Sequence, residues 1–442
     1  MAAPKVEITR VLFDATRLLG RGLAMPTGID RVDFAYVSAL SSTPGFDLRL
    51  VTFDVFGPKL LRPGPTARLI ETVRRRWESH LIADQPQPGF QRLRQWLEAP
   101  GGKPVQPTTP DGQNTGDGSH MQRAGAALNG ALDSLRLRRT LADGTSSVYD
   151  NTSHGQLFRK AVSRWLGNSG IGSVFFIHDL IPIEFPEFNR QREPARHAAR
   201  METIGAHARQ IIVNSDATRA TLLRYLRDHG RRVPPIEVLH LGIDDRFDQA
   251  KSHTPLSPAA PYFVMLCTIE PRKNHLLMLQ VWRRLVESQG DAAPRLVLIG
   301  RRGWENQIVF NTLDRSPLLS RFIAESSGLG DGDIAALLRG AKALLSPSFG
   351  EGFGLPVAEA LKLGTPVIAS AIPAHLEVGG DFAEYLDPLD GIGWLQAIRD
   401  YSAEPSPRRE KQLQRLKNYQ PPRWNEHLSS ALDLIRAAAH QA

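Results

Sequence analysis

At 442 residues the chain is too long for one ordinary core and suits two α/β domains plus an insertion or tail, with enough apolar surface to fold without a disulfide or metal staple. Cys267 is its only cysteine, which excludes an internal disulfide framework and a multi-cysteine zinc site and makes the reducing cytosol the expected location. A formal net charge of +8 favours polyanionic partners such as nucleotide diphosphates and anionic lipid surfaces; without an interleaved aromatic and basic surface motif, nucleic acid is not expected.

In chain order, Met1 to Gly22 lacks the apolar core of a secretory signal, and no later run approaches the roughly 18 apolar residues that cross a bilayer, so a soluble or peripheral protein is expected. Short apolar runs then alternate with helical patterns in two blocks, the signature of parallel sheets with crossover helices. The first block predicts strands at Glu7 to Phe13, Leu50 to Phe56, Ser173 to Ile177, Gln210 to Asn214 and Ile236 to His240. Between Gly57 and Gly144 prolines, glycines and arginines break the pattern, predicting an insertion over residues 58–146 with helices near Ala67 to Ile82 and Ala124 to Leu141. Within it, Gly118-Ser119-His120-Met121 matches the scar of a cleaved expression tag.

Gln249 to Pro261 reads as the linker between a first domain ending near 255 and a second spanning 256–422. The second block predicts strands at Tyr262 to Cys267, Arg295 to Ile299, Ala343 to Ser346 and Pro366 to Ala369. From Trp424 through Leu428, Leu432 and Ile435 helical spacing continues, predicting one closing helix over 423–442.

The stretch from Ser346 to Leu361 carries the most chemistry. An apolar strand passes through Gly350, Gly352 and Gly354 into a helix near Leu355, with Pro356 in its first turn. Glycines admit close approach of backbone, and the amides of a helix start attract an anion. Glu351 and Glu359 flank this site, which makes sense if each holds hydroxyls, as a ribose and a sugar would supply. As the acid and base of a glycosidase they fit poorly: eight helical residues span ~12 Å, beyond the ~5 to 9.5 Å such enzymes use. Upstream, Arg272 and Lys273 occupy a strand-to-helix turn, the ligand-presenting edge of a parallel sheet, where an ion pair with Glu270 is the competing reading.

The wording EGFGLPVAEALKLGTPVIAS, with Glu351 and Glu359 separated by seven residues, resembles the signature of family-4 retaining glycosyltransferases of the GT-B fold. The resemblance implies two doubly wound, Rossmann-like α/β domains with a cleft between them. By position it implies that Glu351 holds hydroxyls of the donor sugar and Glu359 the nucleotide ribose. The backbone of Phe353, Gly354 and Leu355 would face sugar and diphosphate, while Arg272 and Lys273 neutralise the leaving diphosphate. The segment Glu325 to Ile334, including Leu329, corresponds to the region that contacts the base. Its Asp331-Gly-Asp333 reads as helix capping rather than a metal site, so neither a metal nor a bound cofactor is expected.

In the first block, His178 ends a buried strand in the wording HDLIP, which is similar to polysaccharide-building members of this family and implies a place beside the donor sugar. Alone, such a histidine is equally a hydrogen-bonded core residue. Gly28, in Met25-Pro-Thr-Gly-Ile-Asp30, would let its loop reach the diphosphate; Asp30 departs from the second glycine or small residue of many relatives and reads as an N-cap. Asn214 to Thr218 and His240 to Asp244 predict capping and cleft lining.

The expected activity is direct transfer, with retention, of a sugar from a GDP or UDP sugar to a glycan or lipid-linked glycan in bacterial surface polysaccharide synthesis. Mannose and rhamnose are the leading sugars by analogy. An epimerase or phosphorylase of similar fold and an inactive sugar-nucleotide-binding scaffold are the rivals. The basic insertion suggests contact with the inner membrane's cytoplasmic face, against the alternative of ordinary solvated charge.

Overall fold

A computed structural model describes residues 8–21, 26–54, 57–81, 86–101, 136–244 and 255–440. The first sheet has seven strands in the order β3-β2-β1-β4-β5-β6-β7: β1 Thr9–Asp14, β2 Phe46–Asp54, β3 Gly57–Leu60, β4 Ser147–Asn151, β5 Gly172–Ile177, β6 Gln210–Val213 and β7 Ile236–Val238. All neighbours run parallel except β2 and β3. The second, wholly parallel sheet has six, in the order β10-β9-β8-β11-β12-β13: β8 Tyr262–Leu266, β9 Arg295–Ile299, β10 Ile323–Ser326, β11 Leu344–Ser346, β12 Val367–Ser370 and β13 Glu384–Leu386. Each order reverses once, between β1 and β4 and between β8 and β11, and a doubly wound sheet opens its ligand crevice at such a reversal. Central strands are buried because helices cover both faces: every residue of β1, β5 and β9 is buried.

The predicted strands all form, Arg295–Ile299 with its predicted ends and the others shifted; the predicted ends Glu7 and Phe56 lie outside the described residues. Four others were not expected: β3, β4, β10 and β13. Each is short or polar: Pro58 lies in β3, Asp150 and Asn151 in β4, Glu325 in β10, and β13 has only three residues. None carries the apolar run from which a strand is read, and each forms because neighbouring strands offer it backbone partners.

The insertion does not stay with the first sheet. Its helix Pro63–Leu81 matches expectation, but Pro88–Glu98 was not foreseen, and it crosses to the second sheet. There Phe90, Leu93, Trp96 and Leu97 are buried with Tyr262, Val297 and Leu337. Arg295, 3% exposed, donates to the carbonyls of Trp96, Leu97 (2.9 Å) and Ala99 (2.7 Å), capping the end of that helix. Residues 255–261, the described end of the predicted linker, run beside it, with the Ala259 amide donating to Leu97 O at 2.8 Å. Of the helix expected at Ala124 to Leu141, residues 136–141 are helical; its remainder and Gly118–Met121 lie outside the described residues.

The last helix, Trp424–His440, returns to the first sheet as expected, burying Ala431, Ile435 and Ala438 in the core of β1, β4 and β5. Its His427 hydrogen-bonds Tyr36 at 3.0 Å. Two segments therefore connect the halves besides the linker. Among the described residues, no helix is long and apolar enough to cross a membrane.

Replacing Arg295 with alanine takes this donor from the carbonyls of Trp96 and Ala99 and leaves Leu97 O with the Ala259 amide. Urea unfolding of Arg295→Ala is expected to show a loss of about 2–4 kcal/mol; a change within experimental error would mean the crossing helix adds nothing to the second half.

Candidate functional site

The reversal between β8 and β11 brings two loops together. After β8, the turn Pro271–Lys273 ends at Asn274, which takes a left-handed conformation (φ 56°) and opens the helix His275–Gln289. After β11, the chain passes through Ser348 and Glu351 and enters the helix Leu355–Lys362 from Gly354, whose φ of 93° disfavours any side chain. Pro356 has no amide hydrogen and the Val357 amide bonds back to Gly354 O at 2.9 Å. The Leu355 amide is thus the principal donor at this helix start.

Glu351 is the hub of the site. Arg272 donates to its Oε2 at 2.8 Å, Lys273 to Oε1 at 2.5 Å, and the Ser348 hydroxyl to Oε1 at 2.7 Å. Arg272 also holds Glu270 at 2.7 Å, so the competing ion pair forms and shares the guanidinium with Glu351. Burial alone would raise the Glu351 pKa, but Arg272 and Lys273 overcome it and hold the carboxyl well below its ordinary value. It is an anion at every ordinary pH, not a proton donor.

Glu359 is different. One turn inside its helix, it is 9% exposed and borders a cavity of about 700 Å³ with Gly28, Arg31, Leu355 and Asp244. Burial pushes its pKa up to about 7; the positive charge of Arg31 opposes this, and Asp331 and Asp244 add to it. Arg31, from the helix Gly28–Ser42 of the first half, is bound by Asp331 at 2.6 and 3.2 Å. Glu351 instead borders a smaller space of about 120 Å³ with Asp179, Phe185 and Phe349. The two glutamates thus border separate spaces in this structure.

The seam is closed by Gly352. Its carbonyl accepts from Ser215 Oγ at 2.6 Å and Thr218 Oγ1 at 3.2 Å, both in the first half. A Cβ placed on Gly352 would lie 2.0 Å from His178 O. Nearby, Glu377 accepts from the amides of Asp216 and Ala217 and pairs with His240 at 2.7 Å. On the other flank Trp304 donates to Phe188 O at 3.1 Å.

His178 is 5% exposed and donates from Nε2 to Thr152 O at 2.7 Å, with burial pushing its pKa down to about 4, so it is a neutral ring. Gly28 packs against the helix start, its would-be Cβ 3.0 Å from a Leu355 methyl. Phe353 and Leu329 put their side chains into the cores. Asp30 is not the N-cap: Thr27 is, and Asp30 completes the capping box from the third helical position while binding Arg17 (2.7 Å) and Arg21 (3.0 Å). Nor does Asp331 or Asp333 cap its own helix, which Gly330 precedes; Asp331 takes Arg31 and Asp333 the amide of Gln87. Sequence reading missed Arg31, Ser348 and Glu377. Arg31 stood beside a singled-out loop, but nothing in the chain shows that a residue 300 positions away is its partner.

Comparison with known proteins adds the following. Residues 247–410 match the family model "Glycosyl transferases group 1". The serotype-specific mannosyltransferase WbdA of Escherichia coli is 27% identical over 248 residues, covering 53% of this chain and 30% of WbdA. The O-antigen chain mannosyltransferase B of Escherichia coli is 28% identical over 252 residues, 52% of this chain and 62% of that protein. The chain thus spans less than two thirds of the length of these relatives. Among solved structures, Anabaena Alr3699/HepE in complex with UDP superposes with a TM-score of 0.59 at 13% identity, covering 97% of this chain and 100% of the other. WaaG, a glycosyltransferase involved in lipopolysaccharide biosynthesis, gives 0.57 at 15% identity, covering 97% and 99%. The two-sheet architecture is the GT-B fold.

The charge state of Glu359 is measurable without any ligand. Unfolded, the carboxyl ionises near 4.5; folded, near 7. Between those values the native state keeps a proton the unfolded chain has released, so stability falls as pH rises through the window and the loss is complete above it. Glu359→Gln is expected to flatten urea-derived stability between about pH 5 and 8, removing a decline of roughly 2–3 kcal/mol. Identical slopes in both proteins would count against the buried, proton-bound state.

Proposed function

We propose that the chain is a retaining, metal-independent family-4 glycosyltransferase that moves a sugar, mannose first among candidates, from a nucleotide-diphosphate donor to a glycan or lipid-linked glycan of a bacterial surface polysaccharide. The observation that carries this reading is the Glu351 hub. A carboxylate and two cations meet at the sheet's reversal, inside the segment matched to the glycosyl transferases model, next to Gly352, which packs on the His178 carbonyl across the seam. The names of WbdA and of the O-antigen chain mannosyltransferase B support mannose, and the UDP in the HepE structure supports a nucleotide-linked donor.

On this reading the diphosphate lies before the Leu355 amide and draws on the positive charge of Arg272 and Lys273. That frees oxygens of Glu351 to accept the hydroxyls of the donor sugar. Glu359 and Arg31 receive the ribose end. As the bond to the leaving phosphate breaks, negative charge grows there, and fixed cations in a closed cleft stabilise it without reorganising. His178, neutral and with its Nε2–H committed to Thr152 O, presents the other ring nitrogen to a hydroxyl. The acceptor hydroxyl attacks the face from which the phosphate departs, and a departing phosphate oxygen takes its proton. The proposed place of action is the cytoplasm, with peripheral contact at the inner membrane through the basic insertion.

Arg272→Ala and Glu351→Gln are each expected to lower kcat/KM by about 10²- to 10³-fold in an assay of nucleotide release with acceptor present. Near-normal turnover in either would end the assignment. A thermal-shift panel of GDP, UDP, dTDP and their sugars is expected to single out one nucleotide, with about 2.7 kcal/mol of stabilisation at a hundred times its Kd.

A further inference from the structure

The proposed chemistry leaves a group of arginines in the first half unused. The loop after β4 delivers Phe158 and Arg159, and the helix Glu193–His207 with the turn before it delivers Arg192, Arg196 and Arg200. Three guanidinium carbons stand within 6 Å of the centroid of one ring, that of Phe158: Arg159 at 5.8 Å, Arg196 at 5.5 Å and Arg200 at 5.7 Å. The ring borders an open groove of about 630 Å³ that Arg192 and Arg196 also line.

Four cations here face one carboxylate, Glu193, which binds Arg200 at 2.5 Å. Among the described residues no acid pairs with Arg159, Arg192 or Arg196, which leaves three net positive charges around the groove. The Nε atoms of Arg159 and Arg200 are buried without a hydrogen-bond partner. Gathering like charges costs free energy, and an anion bound in the groove offsets it. The negative face of the Phe158 ring holds the guanidinium groups together, and their forked donors suit phosphate oxygens in pairs.

A contiguous set of contacts leads from the groove toward the seam. Arg200 is 3.2 Å from His197 Nδ1, the His197 and His154 rings are 5.5 Å apart, and those of His154 and His178 are 5.3 Å apart. We infer that this groove binds the phosphate group of the acceptor, through Arg159, Arg192 and Arg196, with Phe158 as a positioning residue. This inference rests on the transferase reading for the word acceptor, but the anion site stands on its own geometry. The phosphate could belong to a free sugar phosphate or to a lipid-linked diphosphate; the chemistry recognised is the same.

The test is isothermal titration of the full chain with glucose 1-phosphate and, separately, with farnesyl diphosphate, each with GDP and UDP present to occupy the donor site. Wild type is expected to bind at least one phosphate probe, more weakly as salt rises. The double variant Arg159→Gln, Arg196→Gln should lose at least tenfold in that affinity, and Phe158→Leu at least threefold, with nucleotide affinity unchanged in both. Binding of glucose 1-phosphate identifies a soluble source, and binding of farnesyl diphosphate alone a lipid-linked one. If wild type binds neither probe, or the variants bind as wild type does, the groove is no such site. Failure of every nucleotide to bind would instead sink the donor reading and leave the groove's result standing.

Discussion

The site depends on one compensated burial. Glu351 is an anion with little access to water, and such a charge is tolerated only where opposite charge and hydrogen bonds replace the lost hydration. Arg272, Lys273 and Ser348 supply that replacement from two loops that the sheet's reversal of order brings together. The same three donors fix the carboxylate in place and hold two cations at the end of the sheet.

How the halves meet follows from the backbone. Gly352 presses on His178 with no room for a side chain, and its carbonyl is held by Ser215 and Thr218. Around this seam the chain crosses between halves more than once: the final helix returns to the first sheet, and the Pro88–Glu98 helix completes a face of the second. The second half thus borrows a helix from an insertion in the first. The segment matched to the glycosyl transferases model, beginning at residue 247, does not include that helix. Any opening of the cleft has to move against these tethers as well as the polar contacts at the seam.

The two glutamates separated by seven residues illustrate how alike residues diverge. Glu351 sits among cations and stays ionised; Glu359, beside Asp331 and Asp244 with Arg31 shared among them, holds its proton to near neutrality. Nothing in their spacing distinguishes them. Their protonation differs because charges from other parts of the chain, including the first half's Arg31, surround each differently.

Read alone, the chain determined the alternation of strands and helices, the glycine turn before Leu355 and the closing helix. These are local: periodicity, turn chemistry and strand-end placement act over a few residues. Tertiary structure alone decided what depends on distant partners. It made strands of β4 and β10, which lack an apolar run, and sent an arginine-rich, proline-flanked segment across to the second sheet. It matched Arg31 with Asp331 and gathered Phe158, Arg159 and Arg196 around one ring. Each outcome is a balance of desolvation against a contact whose other member lies tens to hundreds of residues away, and that member is found only when the whole chain has folded.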